Sequence, residues 1–457
     1  MTAPQHVAVI DIGKTNAKLA LVDLPSLTEV AVLTRPNIVL TDGPWPHYDV
    51  EGHWEFLLDA LSQFHKEHRV DAISVTTHGA CAALLTREGQ LAAPILDYEH
   101  EYPSHIVEAY TALKPNFAET GSPTLAGGLN IGAQLHWQFT QVPSLRDRTA
   151  HIVTYPQYWG HRLTGVAATD VTSIGCHTDL WQPRKGVFSD LPGRLGIADK
   201  IAQVHKPSDV LGAIRPEIAQ LTGLPVDTNV VVGIHDSNAS LYPHLLTQTG
   251  PFSVVSTGTW VIAMTLGGAD ISLDSRRDTL INVDARGAPV PSARFMGGRE
   301  YELIQQGHVA PSTAKDVVEV LEQHVMVLPA VEPQTGPFQG RKMRWTPTEP
   351  DLGTGTRSAA LSFYLALMTD TCLQLTGATG PTIVEGPFAR NREFTAMLAA
   401  ATGREVLTSD AVTGTSIGAA LLFDQSDGLA RPNLAHPPGN LPDLRKYAAL
   451  WRSETII

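Results

Sequence analysis

Cysteine is scarce in this chain. Cys81, Cys176 and Cys372 are the only three in 457 residues, far apart and odd in number. That pattern argues against a disulfide framework or a thiolate zinc site and fits a reducing cytoplasm. Long hydrophobic runs are also missing: none approaches the roughly 18 residues that span a bilayer. The opening Met1-Thr2-Ala3-Pro4-Gln5-His6 has no charged stretch leading into an apolar core, so no signal peptide is expected and no membrane partner. Positive charge is short as well. With 33 Lys and Arg against 46 Asp and Glu, the net charge is −13, the wrong sign for nucleic acid as a main partner. An anionic nucleotide is not excluded, because local N–H groups and a metal ion govern that contact. The 18 histidines form no metal-ligand pattern; His65 and His68 read as surface residues at a helix end.

What is present is length and apolar content. With 457 residues, 43% of them hydrophobic, the chain has material for two cores, which predicts two domains. The most informative stretch is Val7-Ala8-Val9-Ile10-Asp11-Ile12-Gly13-Lys14-Thr15-Asn16-Ala17-Lys18-Leu19-Ala20-Leu21-Val22-Asp23. An apolar strand carries an acid at its end, turns through Gly-Lys-Thr-Asn and re-enters an apolar strand. A carboxylate at the mouth of a donor-rich turn suits hydrated Mg²⁺ beside nucleotide phosphates. The plainer alternative is an ordinary hairpin turn with a turn aspartate. Gly13-Lys14-Thr15 is not a P-loop: the motif requires a glycine where this chain has Ala8, and it opens a helix rather than a strand.

The same device occurs again. Phe252-Ser253-Val254-Val255-Ser256-Thr257-Gly258-Thr259-Trp260-Val261-Ile262-Ala263-Met264 is strand, hydroxyl- and glycine-bearing turn, strand. Two copies predict two related domains, 1–246 and 247–457, joined near 241–251. Elsewhere the periodicity predicts a helix over 53–66 with Trp54, Leu57, Leu58, Leu61 and Phe64 on one face. Strands are expected over Asp71–Thr76, Asn229–Ile234, Thr382–Gly386 and Arg404–Thr408. Helices are expected over Ser358–Leu375, Asn391–Ala401 and Ile417–Leu422, the last capped by Thr413-Gly414-Thr415-Ser416. The Pro-, Gly- and Thr-rich segment 325–356 reads as a long surface connection.

Taken in order, these segments resemble the FGGY family of carbohydrate kinases, of the sugar kinase, Hsp70 and actin superfamily. Asp11-Ile12-Gly13 is similar to the family's first phosphate motif, and Gly233-Ile234-His235-Asp236 to the segment with its catalytic aspartate. Val255-Ser256-Thr257-Gly258-Thr259 is similar to the second phosphate hairpin, and Gly297-Gly298-Arg299-Glu300 to a Gly-Gly segment. Glu385-Gly386 with Asn391 falls at the adenosine motif. Thr413-Gly414-Thr415-Ser416-Ile417-Gly418-Ala419-Ala420 is similar to the closing motif. Lys14-Thr15-Asn16 and Glu385-Gly386-Pro387-Phe388 depart from the family pattern; Lys14 either adds charge beside the phosphates or faces solvent.

The resemblance implies an α/β fold of two ribonuclease H-like, actin-like ATPase domains with a central cleft. The first domain would bind sugar and carry the base, and the second would bind ATP. It implies ATP and Mg²⁺ as cofactors, a cytoplasmic location and an alcohol-group phosphotransferase activity. Asp236 would be the general base, although a helix N-cap is the plain alternative for an aspartate in such a place. Asp11 would hold Mg²⁺. Gly13, Lys14, Thr15, Asn16, Ser256, Thr257, Gly258, Thr259, Gly298, Gly386 and Asn391 would bind the nucleotide. Thr77, His78, Gly79, Asp97, His235 and Asp236 would bind the sugar. His235-Asp236 resembles rhamnulokinase- and fuculokinase-type members and hints at a six-carbon ketose or deoxyketose. Two alternatives stand beside this: a non-catalytic sugar- or nucleotide-binding regulator on the same fold, and an actin- or Hsp70-like ATPase. Many members of the family dimerise, but no self-complementary patch is legible here.

Overall fold

The computed structural model describes residues 4–125, 127–409, 414–423, 434–436 and 442–456. The chain divides into two compact units. The first comprises Met1–Thr247, Ile281–Pro289 and Thr413–Leu429; the second comprises Gln248–Leu280, Val290–Val412 and Ala430–Ile457. The first changeover between the units comes after Thr247. The returns of the chain to the first unit were not expected from the sequence.

The first unit is built on a seven-stranded sheet in the order Val210–Ala213, Asn229–Val231, Ala72–Thr77, His6–Ile12, Asn16–Asp23, Thr28–Pro36, with Ile234–His235 also on Ala72–Thr77. His6–Ile12 runs antiparallel to Asn16–Asp23 and parallel to Ala72–Thr77. Its apolar residues are buried on both faces, as expected for a strand covered by helices on each side. The helix Val50–His68 supplies part of that cover. Asp49 caps it by accepting from the Gly52 N–H at 3.1 Å. The expected stripe is buried at Trp54, Leu57, Leu61 and Phe64, and Leu58 is half-buried.

The second unit repeats the plan. Its sheet includes, in order, Pro289–Phe295, Val261–Leu266, Phe252–Thr257, Thr382–Glu385, Val406–Thr408 and Leu434–His436. Phe252–Thr257 is antiparallel to Val261–Leu266 and parallel to Thr382–Glu385, the same pairing as in the opening hairpin. The helix Gly355–Leu375 starts one turn earlier than the sequence suggests, because Thr354 caps it. It is buried nearly all round, which explains why no single apolar stripe marks it.

Three expectations are corrected. The segment 325–356 is not a surface connection throughout: Val325–Leu328 and Ala330 are buried, and Met326–Leu328 pairs with Arg344–Thr346. Three-residue strands are too short to show a period. Asn229–Ile234 is not one strand; it breaks into Asn229–Val231 and Ile234–His235, with Gly233 at φ 90° between them. The helix near the end spans Thr415–Ala420 with Gly414 as N-cap, followed by a 3₁₀ turn Leu421–Phe423. Thr413 lies outside the described residues.

Candidate active site

In the first unit, the strand ends converge on Asp11, His78, His235 and Asp236. Asp11 is next to last in His6–Ile12, and cross-strand pairing places it opposite Lys18. The Lys18 ammonium is 3.2 Å from Asp11 Oδ2. The same oxygen accepts from the Thr415 hydroxyl and, at 3.5 Å, from the Ser416 hydroxyl. Thr415 and Ser416 begin the short helix Thr415–Ala420, where N–H donors favour an anion nearby. Lys18 could have been found from the sequence, because closing the hairpin at 13–16 puts 18 across from 11. The Thr415 partner has no local signal.

The turn after Asp11 is braced from behind. Gly13 N–H donates to the Asn16 carbonyl at 2.9 Å, and Asn37 Nδ2 donates to the Gly13 carbonyl at 2.8 Å. His53 Nε2 donates to Asn37 Oδ1 at 2.8 Å while its Nδ1 accepts from Arg35, which also pairs with Asp49. Burial, then the Arg35 charge, lowers the His53 pKa to about 4, so the ring is neutral. Thr15 and Asn16 themselves are exposed. None of Asn37, His53 or Arg35 was marked in the sequence.

Asp236 begins the helix Asp236–Thr247 directly after the strand Ile234–His235. Its Oδ1 accepts from the Ser237 N–H at 2.6 Å and the Ser237 hydroxyl at 3.3 Å. His235 Nε2 is 3.2 Å away. Asn238 Nδ2 lies 3.4 Å from His235 Nδ1, so a neutral His235 accepts there and donates from Nε2 to Asp236. Burial lowers the His235 pKa to about 4, which keeps it in that neutral form. The Asp236 pKa is raised to about 6 by desolvation; His78 and Ser237 oppose the shift and the Asp11 charge adds to it. The His235 main chain is anchored in turn. Its N–H donates to Thr172 Oγ1 at 3.0 Å, and the Thr172 hydroxyl donates to buried Asp170. Asp170 and Thr172 were not expected.

Thr77, His78 and Gly79 follow the central strand. Thr77 Oγ1 donates to the His78 carbonyl at 2.8 Å. Gly79 is packed against His235, and a Cβ there would lie 2.6 Å from His235 Nε2. His78 donates from Nδ1 to the Gly79 carbonyl at 2.8 Å. Its Nε2 is a buried acceptor with no partner among the described residues. The ring centroids of Tyr48, Tyr98 and Tyr155 lie 5.3, 5.2 and 5.0 Å from it, and burial lowers its pKa to about 4.

Lys14 is not turned to solvent. Its ammonium is 2.6 Å from Asp97 Oδ1 and 3.1 Å from Glu99 Oε2, and 4.7 Å from the Tyr98 ring centroid. Asp97 Oδ1 also accepts from the Tyr48 hydroxyl at 2.9 Å and the Glu99 N–H at 3.2 Å. Against the upward push of burial, these donors hold the Asp97 carboxyl below its ordinary pKa.

In the second unit, Ser256, Thr257, Gly258 and Thr259 form the hairpin turn. Gly258 N–H donates to the Trp260 carbonyl at 2.9 Å. Gly258 and Thr259 are exposed, whereas the buried Thr257 donates to the Glu385 carbonyl and accepts from Phe388 N–H at 3.1 Å. Gly386 has φ 81°, and a Cβ there would run into the Thr257 carbonyl. Gly298 donates to the Thr259 carbonyl at 3.2 Å, and a Cβ on it would collide with Gly258. Asn391 caps the helix Arg392–Thr402 through Phe394 N–H at 2.9 Å and donates to Ser362. Gly298 thus packs backbone to backbone against Gly258 and Thr259, and Gly386 packs in the same way against Thr257.

Two hairpin-based sheets, each with a glycine- and hydroxyl-bearing turn at the strand ends, define a two-domain kinase fold of the actin-like ATPase type. Residues 6–242 match the N-terminal domain of the FGGY family of carbohydrate kinases, and residues 249–432 match the carbohydrate kinase FGGY C-terminal domain. The chain belongs to the FGGY family of carbohydrate kinases. It is 37% identical to a carbohydrate kinase from Novosphingobium aromaticivorans, with a TM-score of 0.90 over 99% of both chains. It is 25% identical over 278 residues to L-fuculokinase of Salmonella typhi, which covers 59% of this chain and 58% of that protein. The fold is shared with Plasmodium falciparum glycerol kinase, TM-score 0.79 at 15% identity over 99% of this chain and 98% of that one. Among the described residues, no helix is long and apolar enough to cross a membrane.

Proposed function

We propose that this chain is an ATP-dependent carbohydrate kinase that phosphorylates a hydroxyl of a ketose, with Asp236 as general base. The sugar class is a deoxyketohexose such as L-fuculose or L-rhamnulose, or another ketohexose or pentulose. The similarity to L-fuculokinase supports the first of these. The observation that carries the reading is the setting of Asp236: a carboxylate at a helix start, oriented by Ser237 N–H at 2.6 Å and His235 Nε2 at 3.2 Å. A base is most effective when its pKa lies near the working pH, and about 6 meets that condition.

In the proposed reaction, the sugar hydroxyl gives its proton to Asp236 as its oxygen bonds to the γ-phosphorus. The bond from that phosphorus to the bridging oxygen breaks, and ADP leaves. Phosphoryl transfer demands mainly positioning and charge neutralisation from the protein. In each unit the exposed turn residues, Thr15 and Asn16 in the first and Thr259 in the second, would offer hydroxyl and amide donors to phosphate oxygens. The glycine contacts at Gly298 and Gly386 keep side chains from blocking the second turn.

The Asp11 corner has the donor chemistry that Mg²⁺ takes, with the Lys18 ammonium, 3.2 Å from Asp11 Oδ2, sharing the carboxylate. It offers a carboxylate with hydroxyl oxygens beside it, the hard donors this ion takes when phosphates and water complete its shell. Asp11 would hold the ion, with Thr415 and Ser416 beside it. Bound there, Mg²⁺ would neutralise charge on the transferring phosphates.

The test is ADP release across L-fuculose, L-rhamnulose, xylulose, ribulose, fructose, tagatose and erythritol. Stimulation by one or a few of these supports the proposal. Turnover of ATP that no sugar stimulates would favour an ATPase, and sugar binding without turnover would favour a regulator.

A further inference from the structure

Lys14 stands in a turn whose neighbours face phosphates in the reading above, yet its side chain is committed elsewhere. Two of its three N–H donors are taken by Asp97 Oδ1 at 2.6 Å and Glu99 Oε2 at 3.1 Å. The ammonium also lies 4.7 Å from the Tyr98 ring centroid, within range of a cation–π attraction. Drawing it away to a polyphosphate would strand the Asp97 carboxylate, whose side chain is only 9% exposed. An unpaired charge at such a site is costly. Asp97 and Glu99 would also repel phosphate oxygens.

The Asp97 carboxylate is asymmetric. Oδ1 accepts from Lys14, Tyr48 and Glu99 N–H, while Oδ2 has no hydrogen bond among the described residues. Clamping through one oxygen fixes the direction of the other. A free carboxylate oxygen beside an ammonium with an uncommitted N–H has the chemistry for adjacent hydroxyls. One hydroxyl donates to Oδ2, and the neighbouring oxygen accepts from Lys14. The orphaned acceptor His78 Nε2, next to Tyr48 and Tyr98, adds a further hydrogen-bonding atom to the same wall. The local charge of Lys14, Asp97 and Glu99 sums to −1, which disfavours an anionic sugar.

We propose that Lys14 belongs to the acceptor-sugar subsite rather than to the phosphate cradle, and that with Asp97 it reads a vicinal diol of a neutral sugar. This rests on the kinase reading only for the identity of the ligand as the phosphoryl acceptor. Lys14 is a positioning and specificity residue; the proton goes to Asp236.

The experiment measures equilibrium binding by calorimetry, with turnover recorded separately. L-Fuculose, L-rhamnulose, D-xylulose and D-gluconate are titrated into the full-length wild type, Lys14→Met, Lys14→Arg and Glu99→Gln, and ADP with Mg²⁺ is titrated in parallel. Lys14→Met is expected to weaken the tightest neutral sugar at least tenfold and leave ADP within twofold, with Lys14→Arg recovering part of the loss. D-Gluconate is expected to bind at least tenfold more weakly than that sugar, and Glu99→Gln to narrow the gap. Weaker ADP binding with unchanged sugar binding in Lys14→Met would overturn the proposal, as would equally tight D-gluconate. So would a wild type that binds none of the sugars. Thermal unfolding of each variant separates lost binding from lost fold. Sugar binding that depends on Lys14 without phosphorylation by the wild type would sink the kinase reading and leave the subsite standing.

Discussion

Gly79 and His235 are packed so closely that a Cβ on the glycine would lie 2.6 Å from the imidazole Nε2. That nitrogen is the one within 3.2 Å of Asp236. Backbone and base orientation are therefore coupled through a missing side chain. Gly79→Ala is expected to tilt the His235 ring and lower kcat by about tenfold or more, since small misplacements at a reacting centre are amplified. Steady-state kinetics with thermal unfolding checks this; a fully active variant would show that His235 does not orient the base.

Asp236→Asn removes the proposed proton acceptor and keeps the shape. Turnover is expected to fall at least a hundredfold with ADP binding retained. In the wild type, kcat/KM for the sugar is expected to rise with pH through about 6 as the carboxylate ionises, and to level off above it. A rate that is flat from pH 5 to 8 would remove Asp236 from the role.

Stability should respond to acid with two opposite signs. His53, His78 and His235 are buried and neutral, with pKa values lowered to about 4. In the unfolded chain they take up protons near pH 6.5, so each draws stability down as pH falls from there toward 4, by roughly 3 kcal/mol at most. Asp236 works the other way: its raised pKa favours the folded state as pH falls from about 6 toward 3.8. Buried Glu300, raised to about 7, and buried Asp170, Asp179, Asp284 and Asp370 act in the same sense as Asp236, so the histidine share is read from the difference between wild type and a histidine variant on the limb from pH 6.5 to 4. His53→Gln, behind the proposed phosphate turn, is expected to lose less stability than the wild type as pH falls along that limb.

Gly386→Ala combines a positive φ of 81° with a collision at the Thr257 carbonyl. A loss of about 2 kcal/mol is expected, together with weaker ADP binding because the second turn must shift. Calorimetric titration with ADP and a melting curve test both effects. An unchanged ADP affinity would separate Gly386 from the nucleotide.

Much of this architecture could be read in advance where the chemistry is local. The two hairpins announce themselves by apolar strands around glycine-bearing turns, and Asp236 by its place between a strand and a helix start. The supports of those residues could not be read. Asn37 and His53 brace the Gly13 turn, and Asp170 holds His235 through Thr172. Each is a lone polar residue whose meaning appears only when distant segments meet. Lys14 was visible as an oddity, but its partners Asp97 and Glu99 lie on a stretch with no periodicity to place them. The pairing of Met326–Leu328 with Arg344–Thr346 was hidden by shortness, and by the Pro and Gly residues between them.

The hydrogen bond from Thr415 to Asp11 joins positions 404 residues apart. During synthesis the carboxylate emerges first and its hydroxyl partner follows 404 residues later. The proposed metal corner is therefore unfinished until residue 415 has been made. A chain that stops before Thr415 carries the opening hairpin sequence and lacks this contact beside the proposed metal site.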